Sequence, residues 1–162
     1  RAAVTAGQYS DPAAAKYLGD VLIKRRDKIL SIYLTAVNPI VNPRLEANGP
    51  LTFENAAISA DVAEGRPTYR ASWMLFDNVT GATKPLAVTQ SQTTTLDAPA
   101  GLPTAAGSYI QVDLFADLKA YPTWQTPIKT YFRRTGQGWT LVGLERLPDT
   151  VAPAHVLQTA SR

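Results

Sequence analysis

Residues 11–38 form a single amphipathic segment, and the chain after them reads as β-structure almost to its end. Ser10-Asp11-Pro12 is a helix start: Ser10 or Asp11 can accept hydrogen bonds from the free first-turn amides, and proline suits the first helical position. Leu18, Leu22, Ile29, Ile32, Tyr33 and Val37 recur at three- and four-residue spacing and define one apolar face. Asn38-Pro39 ends the pattern, because the residue before a proline is pushed out of the helical region. The spacing predicts a helix over 10–38, counting its cap, about 40 Å long at 1.5 Å per residue. The expected use of such a stripe is to cover a sheet.

Three prolines and Asn48-Gly49 mark residues 39–50 as a turn-rich connection. Beyond it six strands are expected, over 51–57, 68–76, 86–96, 108–118, 128–134 and 139–147. Alternation is plain in Tyr69, Ala71, Trp73 and Leu75, and in Ile110, Val112 and Leu114. Asp77-Asn78-Val79-Thr80-Gly81 links the second strand to the third, and Thr135-Gly136-Gln137-Gly138 makes a hairpin turn between the last two. No helical stretch separates the strands, so parallel βαβ units are not expected. The fold class is α+β, mostly β. A long N-terminal helix packs on an antiparallel, immunoglobulin-like β-sandwich, or, as the alternative, one curved sheet wraps the helix as in cystatin-like folds. The 162 residues read as one domain, with the helix, an antiparallel β region over 51–147 and a tail over 148–162. Residues 97–107, rich in Ala, Pro and Gly, read as a loop.

Composition narrows the function classes. With no cysteine, disulfides, thiolate zinc sites and a cysteine nucleophile are excluded, and a single histidine cannot build a multi-histidine metal site. Residues 1–50 hold seven Lys/Arg against four Asp/Glu, and residues 51–162 hold nine of each. The whole excess of +3 therefore sits on the first third, mostly in Lys24-Arg25-Arg26-Asp27-Lys28. That excess is too small to argue for nucleic acid. No stretch approaches the roughly 20 apolar residues of a membrane span. The chain begins at Arg1 without a methionine, so a processed product or an excised piece of a longer protein is expected.

Several side chains invite a chemical reading. On a helical wheel one of Arg25 and Arg26 falls on the edge of the apolar stripe, where a guanidinium at a helix–sheet contact needs a carboxylate; Asp113, Asp117 and Glu145 are candidates. A structural salt bridge or snorkelling is favoured there over anion binding. Tyr121-Pro122-Thr123-Trp124 lies between two strands, and exposed aromatics on a proline-stiffened loop can stack on a sugar or anchor a partner. Tyr121 and Trp124 are therefore the leading ligand-contact candidates, with a loop folded back to cap the core as the competing reading. Lys129, Tyr131 and Arg133 share a strand face of the kind that binds single strands, but a solvated outer face is the simpler account. Asp113 and Asp117 share a face yet stand roughly 13 Å apart along a strand, too far to act on one proton. His155 has no Ser or Asp partner in the sequence pattern of a triad. Gly136-Gln137-Gly138 is a turn, not a phosphate loop.

The runs Ala6-Gly7-Gln8-Tyr9-Ser10-Asp11-Pro12, Leu22-Ile23-Lys24-Arg25-Arg26-Asp27-Lys28-Ile29 and Val37-Asn38-Pro39, with the closing Gly138-Trp139-Thr140-Leu141-Val142-Gly143-Leu144-Glu145-Arg146, resemble the C-terminal part of a group of large bacterial proteins. The resemblance implies a C-terminal module of a longer, exported protein, periplasmic or extracytoplasmic. It brings no activity and no catalytic residues. The expected function is a non-catalytic accessory or interaction module, without cofactor, contacting a protein partner or a neighbouring domain of the same chain, with a carbohydrate as a further candidate. The alternative is a small-ligand-binding or enzymatic domain of the cystatin-like type, which needs a deep apolar pocket.

Overall fold

The computed structural model describes residues 2–146. A short helix α1 (Ala2–Ala6) is followed by α2 (Pro12–Ala36), whose 25 residues span about 37 Å. Asp11 caps α2, its carboxylate accepting from the Ala13 amide at 2.8 Å, and Pro12 occupies the first turn. The chain leaves the helix at Val37 in an extended conformation, just before Asn38-Pro39.

Among the described residues, eight strands build two antiparallel sheets. The first contains β1 (Ile40–Leu45), β2 (Leu51–Asn55) and β5 (Thr95–Leu96), in the order β1-β2-β5. The second contains β3 (Thr68–Phe76), β4 (Thr83–Ser91), β6 (Tyr109–Asp117), β7 (Ile128–Thr135) and β8 (Gly138–Glu145), in the order β4-β3-β6-β7-β8. Every neighbouring pair is antiparallel. Period-two alternation sends Tyr69, Ala71 and Trp73, Ile110, Val112, Leu114 and Ala116, and Ile128 and Phe132 to one face of the larger sheet. They share a buried core with Ile40, Leu45, Leu51, Phe53 and Leu96 of the smaller sheet. A short helix α3 (Ala56–Ser59), capped by the Asn55 side chain, adds Ala57 to that core.

Two local departures from the sequence reading have backbone causes. Residues 40–45 form a strand although prolines surround them. Asn42 adopts φ 54° and the pairing shifts between Val41 and Arg44, so Pro43, which has no amide to donate, sits at a bulge where none is needed. The expected strand over 86–96 divides instead: β4 starts earlier, at Thr83, and accepts Pro85 because it is an edge strand, while Thr95 and Leu96 cross to pair with β2.

The larger correction concerns α2. It meets the β body at its C-terminal end, through α3 and a 3-10 turn at Pro122–Gln125, where Leu34 packs against the core. The stripe expected to lie on a sheet does not: Leu22, Ile29, Ile32 and Tyr33 are 47, 55, 56 and 67% exposed.

Candidate functional site

At 100° per residue, Leu18, Leu22, Arg25, Ile29, Ile32 and Ala36 follow one another at spacings of four and three and line one side of α2. Leu18 is half-buried and the others are exposed. The more covered side carries Gly19, Ile23, Asp27, Leu30 and Leu34. The helix is therefore apolar on two sides, one of them more covered than the other. The sequence reading found the stripe but assigned it to the wrong surface, because spacing identifies which residues share a face and not what covers them.

Arg25 and Arg26 were expected to divide into one buried, paired guanidinium and one free one. Both are exposed. Arg26 reaches its neighbour Asp27, with its Nε 2.8 Å from the carboxylate, and this pair is too solvated to add much stability. Arg25 has no carboxylate partner among the described residues. Since the stripe is in solvent, no desolvation forces a counter-ion on either.

Trp124 was expected on an exposed loop, and it is fully buried. The loop closes into the 3-10 turn, where Tyr121 stacks on Trp124 with ring centroids 4.6 Å apart and planes 17° apart. Trp124 Nε1 and Thr123 Oγ1 each donate to the Thr35 carbonyl at 3.2 Å, one of the free carbonyls of the last turn of α2. The pair thus pins the helix end to the body, and the ring of Trp124 is not available to stack on a sugar. The three-residue spacing of Tyr121 and Trp124 on either side of the Pro122 start was the available signal, since such positions eclipse in a 3-10 turn.

The outer face of β7 is satisfied within the sheet. Lys129 Nζ lies 3.9 Å from Glu145, the Tyr131 hydroxyl is 3.1 Å from the same carboxylate, and the Tyr131 ring meets Phe76 at 5.0 Å. Burial, then the hydrogen bond and charge of Glu145, push the Tyr131 phenol up to about 12. Arg70 stacks over Phe115 at 3.7 Å. Asp113 and Asp117 accept from Gln111 and Gln125, at 2.7 and 2.9 Å, rather than from each other. None of Asp113, Asp117 and Glu145 meets Arg25 or Arg26. His155 lies outside the described residues.

Three further residues make contacts that the sequence pattern does not show. Asn38 is buried at the joint after α2: it donates to the carbonyls of Leu114 and Thr126, both at 3.0 Å, and accepts from the Ile40 amide at 3.2 Å. Arg146 donates to the carbonyls of Asn38 and Ile40, and burial lowers its pKa. Arg134 donates to the Ala47 carbonyl at 2.6 Å beside Trp139, on the wall of a cleft of about 230 Å³ that Glu46 also borders. Asn38 was legible as the residue that ends the helix before Pro39; its long-range partners were not.

Among the described residues no three His, Cys, Asp or Glu side chains gather to hold a metal, and no helix is long and apolar enough to cross a membrane. Comparison with protein-family models, with curated proteins and with solved structures found no match. The described residues thus present an exposed apolar stripe with a cationic centre on one side of α2.

Proposed function

We propose that this chain is a non-catalytic accessory or interaction module of a larger bacterial protein, in which the β body is the scaffold and α2 the presented contact element. One observation carries the reading. Leu22, Ile29, Ile32 and Tyr33 are exposed on one side of α2, while the β body keeps Trp73, Ile110, Leu114, Trp124 and Phe132 inside. Contiguous exposed apolar surface on an otherwise well-packed domain marks an association site. On this reading the two sheets form an immunoglobulin-like sandwich, which the single core drawn from both supports. The cystatin-like, ligand-binding alternative has less support, because its sheet would wrap the helix and cover the stripe. Arg25 and Arg26 remain contact residues in the proposal, whereas Trp124 acts by holding the helix end. A protein partner or a neighbouring domain, in an extracytoplasmic setting, fits the same surface.

The test is to change the stripe and measure folding and association separately. Ile29→Asp combined with Ile32→Asp is expected to leave the unfolding midpoint of the β body almost unchanged and to abolish association through α2. Loss of cooperative unfolding in that variant would mean that the stripe serves the fold, and the proposal would fail.

A further inference from the structure

Resting on that reading of α2 as the contact element, we infer that its occupant is an acidic amphipathic helix of a partner protein, docked along the seam from Leu18 to Ala36. The seam has the four-three spacing of a coiled-coil face: Leu22, Ile29 and Ala36 fall at a positions, and Leu18, Arg25 and Ile32 at d positions. Arg26 and Tyr33 then occupy e positions, and Lys28 a g position, beside the seam. The apolar layers set the partner's shape, and the charges set its sign. Lys24, Arg25, Arg26 and Lys28 stand against Asp27 alone, giving this segment +3, equal to the formal charge of the whole chain.

The position of that charge decides between occupants. Residue 27 is the midpoint of the seam. Two copies of α2 overlapping over its full length, parallel or antiparallel, would therefore set the cationic segment against itself, and like charges at a helix contact are destabilising. An anionic lipid surface would attract the cations but would have to take Arg25 in the middle of the apolar stripe, where acyl chains offer no partner. A helix with apolar a and d residues, one Asp or Glu in the layer facing Arg25 and Glu beside Arg26 and Lys28, satisfies both the apolar and the charged parts of the seam.

The experiment uses the full chain and synthetic probes. One peptide of about four heptads carries a Leu/Ile seam with Glu at the flanks and in one seam layer; its counterpart carries Lys at those positions. Titration calorimetry is expected to show saturable binding of the acidic peptide, at least about tenfold tighter than the Lys peptide and weakened by added salt. Arg25→Glu with Lys28→Glu is expected to reverse the preference; both residues are exposed, so circular dichroism serves as the check that the fold is kept. Equal binding of the two peptides would overturn the acidic partner while leaving α2 as the contact element. Binding of neither peptide, with self-association in sedimentation or with capture by phosphatidylserine-containing vesicles that Ile29→Asp abolishes, would overturn it in favour of a second copy or a membrane. Binding of neither peptide by a protein that stays monomeric and ignores vesicles would overturn both the inference and the reading beneath it.

Discussion

The two sides of α2 carry similar apolar side chains and meet opposite fates. Near the C-terminus Leu34 packs against the core, and Trp124 and Thr123 close the last turn. From Leu22 through Tyr33 an equally apolar face stands in solvent. The difference shows that amphipathicity is a property of a helix, whereas docking is a property of the sheet available to it. Here the two sheets share one core, and α2 meets the body through α3 and the 3-10 turn.

Mutations at the anchored contacts and on the exposed side break or sharpen this contrast. The largest effect is expected at the anchored end, where Trp124→Ala removes a buried indole and the hydrogen bond to Thr35, destabilising by about 3–5 kcal/mol. Urea unfolding checks it, and a loss under about 1 kcal/mol would mean that the helix end is held by other contacts. Quenching by acrylamide in single-tryptophan variants should find Trp124 as protected as Trp73. Asn38→Ala comes next. It leaves the carbonyls of Leu114 and Thr126 without this donor in a buried place, at a cost of about 2–3 kcal/mol in the same assay. At the free face, Leu22→Ala and Ile29→Ala should each change stability by less than about 0.5 kcal/mol. A loss of about 2 kcal/mol or more at either would restore the docked helix that the spacing suggested.

The smallest effect is confined to alkaline solution. The Tyr131 phenol sits at about 12 in the folded protein against 10.0 as its ordinary value. The folded state therefore keeps its proton while the unfolded chain is losing it. This stabilisation is complete below about pH 10 and is lost as the pH rises from there through about 12. Tyr131→Phe should make the alkaline edge of stability shallower, and should remove one late tyrosine from the near-ultraviolet phenolate signal, leaving Tyr69, which burial also raises. A Tyr131 that ionises with the exposed tyrosines would disprove the assignment.

Much of the fold was legible in the sequence because it depended on local rules. Asp11-Pro12 and Asn38-Pro39 bracket α2, the alternation of Tyr69 to Leu75 places β3, and Thr135-Gly136-Gln137-Gly138 turns β7 into β8. The candidate site was legible only in part. The stripe and the cationic segment could be read, but whether Arg25 is buried depends on what lies across from it, which spacing does not encode. Trp124 was misplaced for the same reason: prolines around an aromatic stiffen a loop equally well for display or for folding inward, and the Thr35 carbonyl that selects between them is 89 residues away. β1 was missed because three prolines suggested turns, while a bulge at Asn42-Pro43 absorbs the one inside the strand.

The joint at Asn38 has a mechanical consequence. Its side chain is fastened to Leu114 of β6 and to Thr126 just before β7, and its carbonyl to Arg146 at the end of β8. A load applied to α2 thus enters the β body at its C-terminal joint, through the attachments of Asn38 and through the Thr35 carbonyl that Trp124 and Thr123 hold. These attachments carry the load together instead of peeling one by one. On the proposed reading, a partner seated on α2 would be held in a set orientation to the β body by these attachments.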